Sequence, residues 1–376
     1  MPQRKKILYL VTEDWYFLSH RLPMARAARD MGLEVVVATR IGKGREAIEK
    51  EGFRVLPLSM DRKGKNPFVE FGTVLSIAEL YRHERPDLVH HVAMKPILYG
   101  SIAAWLAKVP AVINAFAGMG YVFISNSPLA RLLRPIFIVL FRFLFRQEGR
   151  ALVVQNEDDR NTAERLRLGD PANIYIIRGS GVDTEKFHPT PEPKGPLVAT
   201  LVGRMLWDKG IGELVEAVRI LKKRSVEIAV QLVGEPDPAN PRSIPEQTLR
   251  DWEAEGLVKW LGRREDIAEL LQQSNIAILP SYREGMPKSL LEGGASERAL
   301  IATDVPGCRE LVTDEENGLL VPLMDASALA DAIERLDKDS ALRAKLAKGA
   351  RKRVMERHSD LVIADQIAAL YRDAIA

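Results

Sequence analysis

Short β-rich runs alternate with longer helical patterns along nearly the whole of this 376-residue chain. An alternation of that kind closes as a parallel sheet with helices packed on it. Ile7 to Val11, Glu34 to Ala38, Asp87 to Val92, Ala111 to Ala115, Leu152 to Gln155 and Ile174 to Ile177 read as buried strands. Between the first two, Met24, Ala27, Ala28 and Met31 recur at helical spacing, with Pro23 suited to the start of a helix and Gly32 to its end. A polar, proline-rich stretch from Gly179 to Pro196 interrupts the pattern, which then resumes at Val198 to Val202, Ile228 to Val233, Val258 to Leu261, Ile276 to Leu279 and Leu300 to Thr303. The length suits two domains rather than one. The expected fold class is therefore α/β, with two Rossmann-like, doubly wound domains over 1–180 and 181–359. A last helical pattern within 360–376 is expected to pack back on the first domain.

Composition removes several classes of function. Lys plus Arg number 54 against 51 for Asp plus Glu, and the net charge of +3 is too small to argue for nucleic acid. The single cysteine, Cys308, rules out an internal disulfide and a cysteine-rich zinc site. No metal cage is visible in the sequence, and no cofactor is expected. Ile7 to Val11 is followed at once by Thr12, Glu13 and Asp14, so the N-terminus lacks a long apolar signal region and export by a standard signal peptide is not expected.

Two junctions carry the chemistry. The strand ending at Leu279 runs through Ser281-Tyr-Arg-Glu284-Gly285-Met286-Pro287-Lys288-Ser289-Leu-Leu-Glu292. Pro287 is expected in the first helical turn, where early amides lack internal partners and the helix dipole is positive. Such a junction suits a diphosphate, and Gly285 lets the backbone approach it closely. Glu284 lies before the helix and Glu292 inside it, so they reach different parts of an elongated ligand, one gripping a vicinal diol and the other sugar hydroxyls. The second junction is Gly203-Arg204-Met-Leu-Trp-Asp-Lys209-Gly210, again between a strand and an amphipathic helix. Its two cations suit the negative charge that builds on a leaving diphosphate. Each junction alone also describes a soluble surface, with solvated glutamates or a basic loop; their coincidence favours a site.

The segments GRMLWDKG and GRREDIAELLQQSNIAILPSYREGMPKSLLE resemble the retaining glycosyltransferases of family four, which have the GT-B fold with an interdomain active-site cleft. That resemblance implies that Glu292 binds the donor ribose, Glu284 holds the transferred sugar, and Lys288 and Ser289 offer backbone amides to the diphosphate. Gly203, Met286 and Pro287 belong to the same donor loops, and Arg263 lines the base pocket. Arg204 and Lys209 are expected to stabilise the leaving nucleotide diphosphate without a divalent metal. WYFLSHRLPMARAAR, HHVAMKPILYG, LWDKGIGELVEA and GEPDPANPRSIP further resemble a bacterial subgroup that builds glycans or polysaccharides on polyprenyl diphosphate. The partners so implied are a UDP-sugar donor, with an N-acetylhexosamine such as GalNAc, and a polyprenyl-diphosphate-linked acceptor.

On the acceptor side, His20 and Arg21 follow the first strand, and Lys95 follows the strand ending at Val92, both at ligand-facing edges. Gly118 and Tyr121 lie after the next strand, where many family members place a histidine before a glycine and this chain has Ala117. From Pro128 to Gln147 there is no acidic residue, and Arg131, Arg134, Arg142 and Arg146 are interleaved with apolar and aromatic residues. The stretch is too short in uninterrupted apolar residues to span a bilayer and reads as an in-plane helix on the inner face of the cytoplasmic membrane, in a cytoplasmic protein. A buried core helix has the same composition. Gly293-Gly294 suggests a close approach inside a helix, and Cys308 reads as structural. A nucleotide-sugar hydrolase or epimerase, or a sugar-nucleotide-binding protein without catalysis, fits the same residues.

Overall fold

The structure, a computed structural model, describes residues 4–60, 67–118 and 128–376. The chain forms two compact units, Met1–Ser180 with Leu361–Ala376, and Gly181–Asp360.

The first unit holds strands β1 (Lys6–Glu13), β2 (Glu34–Arg40), β3 (Arg54–Pro57), β4 (Leu88–Val92), β5 (Ala111–Ala115), β6 (Arg150–Val154) and β7 (Ile174–Ile176) in the order β3-β2-β1-β4-β5-β6-β7, all parallel. Alternation of side chains along β1 splits its residues between two cores. Ile7, Tyr9 and Val11 pack with Phe17, Met24 and the C-terminal residues Ile363, Ile367, Leu370 and Tyr371. Leu8 and Leu10 pack with Ile77, Tyr81 and Ala104 on the opposite face. The helix Asp360–Ile375 thus supplies part of the first unit's core, although it is the last element of the chain.

Consecutive histidines in β4 face opposite ways, as a strand requires. His90 Nδ1 lies 2.6 Å from the Tyr371 hydroxyl, which in turn lies 2.7 Å from that of Tyr9. His91 Nδ1 lies 2.8 Å from Asn114 Oδ1, and its Nε2 lies 3.0 Å from the Tyr81 hydroxyl. Burial disfavours the charged imidazolium and holds both rings neutral, pushing His91 down to about 3 and His90 well below its usual value.

The second unit has β8 (Leu197–Val202), β9 (Ile228–Val233), β10 (Lys259–Trp260), β11 (Ile276–Leu279), β12 (Ala299–Thr303) and β13 (Leu319–Val321), ordered β10-β9-β8-β11-β12-β13 and parallel. The sequence pattern missed β3 and β13. Both are edge strands of three or four residues, and Arg54 and Pro57 disguise the apolar run in β3. The paired glycines in the helix Lys288–Ala295 have a steric cause. A Cβ on Gly293 would lie 2.3 Å from that of Ala277, and one on Gly294 would lie 3.0 Å from Val354 Cγ2. Arg298, just beyond that helix, is buried and donates to the Thr190 carbonyl at 2.8 Å.

The depressed histidine pKa values set an acid limit for the first unit. Its native state favours neutral imidazoles, so their contribution is complete above the unfolded value near 6.5 and is lost as pH falls from there towards 3. Hydrogen exchange at β4 should show opening free energy falling between pH 7 and 5, and falling less steeply in His91→Gln. Equal slopes would show that His91 takes up no proton on opening.

Candidate active site

In each sheet the chain order reverses once, between β1 and β4 and between β8 and β11. Loops leaving the carboxyl ends at such a point run in opposite directions and leave a crevice. In the second unit the two loops there are Gly203–Gly210 and Pro280–Pro287, the junctions singled out in the sequence.

Backbone contacts fix these loops against each other. Gly210 has φ 69°, and a Cβ on it would lie 1.9 Å from the Pro280 carbonyl oxygen. The Asp208 carbonyl accepts from the Tyr282 amide at 2.8 Å and from Ser281 Oγ at 3.0 Å. Tyr282 donates its hydroxyl to Glu213 at 2.6 Å. The loop after β12 closes the other side: Gly307, at φ 82°, would place a Cβ 2.5 Å from the Gly285 carbonyl and 2.7 Å from that of Glu284.

Held this way, Lys209 Nζ lies 2.5 Å from Glu284 Oε1, with both side chains mostly shielded from solvent. The next element, Lys288–Ala295, starts one residue later than expected. Pro287 caps it with extended ψ of 102°, and its carbonyl accepts from the Leu290 and Leu291 amides at 3.1 and 3.2 Å. Lys288 and Ser289 therefore form the first turn, the positive end of the helix dipole. Glu292 follows in the same helix, 3.9 Å from Lys288 Nζ; burial raises its pKa, while Lys288 and Lys186 oppose that shift. Met286 packs on the core.

Arg204 takes a different partner from Lys209. It pairs with Asp237 at 2.8 Å and is half exposed. Asp237 belongs to the segment after β9, which the sequence reading used only as part of a resemblance. This segment lies along the Gly203–Gly210 loop: Met205 N donates to the Glu235 carbonyl, Trp207 N to that of Arg242 and Ile244 N to that of Met205, while Arg242 pairs with Asp208 at 2.8 Å. The usable signal was an acidic pair, Glu235 and Asp237, directly after a strand at the same sheet edge. Three glycines bring the ends of β8, β9 and β10 together. A Cβ on Gly234 would lie 1.8 Å from the Gly203 carbonyl, and Gly234 N donates to the Gly262 carbonyl at 2.8 Å. Arg263 follows Gly262 and is exposed.

In the first unit, Ser19 and His20 lie in a helix, Asp14–His20, rather than in a loop. The His20 ring stacks on Tyr16 at 4.3 Å and its Nδ1 lies 2.6 Å from Ser19 Oγ. Arg21, expected at an exposed acceptor edge, is 2% exposed, with NH1 on Met24 Sδ at 3.4 Å. Its chain turns inward because the break between two short helices falls at this residue. Lys95 sits in the first turn of the helix Met94–Ala107, 2.8 Å from Glu70 and over the Tyr99 ring. Gly118, at φ 91°, follows β5, and Tyr121 lies outside the described residues. Asp14, which the sequence reading passed over, is buried and accepts from the Gly42 and Gly44 amides at 2.6 and 2.8 Å, tying the loop after β2 to the end of β1. Cys308 is buried, and burial raises its thiol pKa far from reactive values. Among the described residues no group of three or more His, Cys, Asp or Glu is arranged to hold a metal, and no helix is long and apolar enough to cross a membrane.

Two parallel-sheet Rossmann-like units with these strand-to-helix junctions define a glycosyltransferase of the GT-B fold. Comparison with known proteins agrees. Residues 182–353 match the family described as Glycosyl transferases group 1, and residues 6–156 match Glycosyl transferase 4-like. Together these matches span both units, and the chain belongs to the group 1 glycosyltransferases of family four. It is 29% identical, over 94% of its length and 97% of the relative's, to N,N'-diacetylbacillosaminyl-diphospho-undecaprenol alpha-1,3-N-acetylgalactosaminyltransferase of Campylobacter jejuni. It is 28% identical, over 81% of its length and 79% of the relative's, to UDP-Gal:alpha-D-GlcNAc-diphosphoundecaprenol alpha-1,3-galactosyltransferase of Escherichia coli. Its fold is similar to that of Anabaena Alr3699/HepE in complex with UDP, with a TM-score of 0.78 at 18% identity over 98% of this chain and 100% of that one.

The loop contacts lead to a stability prediction. Gly210→Ala and Gly307→Ala each combine positive φ with a backbone collision and should destabilise the second unit by about 2 kcal/mol or more. Gly72→Ala, in a helix with nothing within 4 Å of its added Cβ, should be neutral or stabilising. Urea midpoints check both; an unchanged midpoint in Gly210→Ala would show that the loop moves aside at no cost.

Proposed function

We propose that this glycosyltransferase moves an N-acetylhexosamine from a UDP-sugar, with retention at the anomeric carbon, to a polyprenyl-diphosphate-linked saccharide in bacterial glycan or polysaccharide assembly. The observation that carries the reading is the 2.5 Å pair of Lys209 and Glu284 at the β8/β11 reversal, beside the first turn of the helix Lys288–Ala295. Names of the Campylobacter and Escherichia relatives supply the acceptor class.

In this reading the donor diphosphate lies on the Gly285–Ser289 backbone and takes Lys209 as its counter-ion, which leaves Glu284 to accept from sugar hydroxyls. Glu292 accepts from the ribose diol, and Gly203 and Arg263 border the base. The acceptor hydroxyl attacks on the face that the diphosphate leaves: the anomeric carbon to diphosphate bond breaks, the bond to the acceptor oxygen forms, and the hydroxyl proton passes to the departing phosphate. Lys209, Arg204 and the helix N-terminus supply the positive charge that a divalent metal provides elsewhere. Arg204 must first exchange Asp237 for the phosphate, so Asp237 holds it ready near the leaving group. His20 and Lys95, with the Gly118 loop, serve the acceptor on the first unit. The helix Pro128–Phe145 rests on the inner face of the cytoplasmic membrane, where the lipid-linked acceptor lies.

The decisive assay is UDP release from a panel of UDP-sugars with and without a polyprenyl-diphosphate-linked saccharide. Acceptor-dependent release with product in the lipid phase is expected; acceptor-independent release would make the protein a hydrolase. Lys209→Ala and Arg204→Ala should each cost about 2–4 kcal/mol in kcat/KM. Glu284→Ala should lower kcat more than it weakens UDP binding, and unchanged turnover in all three would overturn the site assignment. Turnover should persist in excess EDTA; its loss would overturn metal independence.

A further inference from the structure

Between Asp87 and Glu148 the chain carries six cations, Lys95, Lys108, Arg131, Arg134, Arg142 and Arg146, and no carboxylate. That excess is larger than the net charge of the whole protein. It coincides with an exposed apolar surface of the first unit. On the helix Pro128–Phe145, Leu132, Ile136, Val139 and Phe143 recur at one-face spacing and are 49–69% exposed. The Phe143 ring meets Trp105 edge-on at 5.6 Å, and Trp105 and Leu106 carry the exposed apolar surface onto the end of the helix Met94–Ala107.

Directly beside Trp105 and Leu106 is an open recess of about 770 Å³ at the amino ends of β5 and β6. Its polar wall contains Lys108, Arg150 and Gln147, with Glu148 its one carboxylate. Arg150 donates NH1 to the Val109 and Pro110 carbonyls at 3.2 and 3.1 Å, which fixes the guanidinium in the wall. Burial lowers its pKa. Lys108 and Arg146, the latter next to Gln147, are exposed and form no ion pair among the described residues.

We propose that this recess receives the phosphate headgroup of an anionic phospholipid, held by Lys108 and Arg150 with Arg146 beside its mouth. Trp105 and Phe143 then lie at the acyl boundary, and the stripe from Leu132 to Phe143 enters the interface. The inference rests on the membrane reading above and extends it from a general basic surface to a particular binding site. Charge complementarity and the aromatic rim select a lipid over a peptide. A guanidinium donates to phosphate oxygens in a fixed fork, and an indole favours the boundary between headgroup and chain.

The test is co-flotation of the full chain with phosphatidylcholine vesicles, with and without phosphatidylglycerol. Wild type should prefer the phosphatidylglycerol vesicles. Lys108→Glu combined with Arg146→Glu should weaken that binding by about tenfold or more. Unchanged hydrogen exchange at β4 would show that the variant is folded. Trp105→Ala should remove a blue-shifted emission component that appears only with vesicles. A double variant that binds as wild type, while Arg131→Glu with Arg134→Glu loses binding, would overturn the recess and leave the membrane reading standing. Absence of wild-type binding to either vesicle would overturn both. If soluble glycerol phosphate perturbs Lys108 and Trp105 resonances but vesicle binding ignores the double variant, the recess is a site for a soluble phosphate and the lipid assignment fails.

Discussion

The sheet edge at the β8/β11 reversal depends on backbone touching backbone. Gly210 lies where any side chain would overlap the Pro280 carbonyl, and Gly307 lies where one would overlap the Glu284 and Gly285 carbonyls. These contacts need positive φ and no Cβ, a combination open to glycine alone at little cost. They set the separation of three loops that come from β8, β11 and β12, and so they set the distance between Lys209 and Glu284. The ion pair is a consequence of loop packing. Two flexible side chains at a solvent edge have little reason to meet otherwise, because an exposed pair gains about 1 kcal/mol at most.

A second constraint works inside the first unit. Tyr371, near the end of the chain, brings its hydroxyl to Tyr9 and His90 in the two strands that flank the reversal of strand order. Buried hydroxyls and imidazoles are costly unless paired, so this network favours one register of the C-terminal helix over the alternatives that its apolar residues alone would allow. Arg21 Nε and His90 Nε2 stay without a protein partner beside a small cavity. The lowered pKa values of His90 and His91 and the cost of leaving these groups unpaired have the same origin in burial.

Charge is distributed along the chain as unevenly as the apolar surface. The six cations between Asp87 and Glu148 include three on the helix Pro128–Phe145 and a fourth, Arg146, directly after it; the outward stripe of that helix is apolar, so basic and apolar residues share one element of the first unit. A chain with a net charge of +3 would not suggest such a surface from composition. It arises because crossovers that run in one direction along a parallel sheet place successive helices on the same face.

The sequence by itself determined the two doubly wound α/β sheets, the nearly complete set of strands and the two junctions at 203–210 and 280–292, since buried parallel strands need continuous apolar runs and strand-to-helix turns need particular residues. Those signals are local and survive without coordinates. It also marked Gly293 and Gly294 as a close approach without saying to what. Only the tertiary structure decided that Ala277 and Val354 lie there, that Lys209 faces Glu284 while Arg204 faces Asp237, and that Arg21 turns inward. Edge strands β3 and β13 emerged only from pairing, because three or four residues carry too weak a pattern. Partner choice of this kind depends on which loops meet in space across tens of residues of chain. Charge and spacing along the sequence leave several pairings nearly equal in energy, and the packing of the sheet selects one.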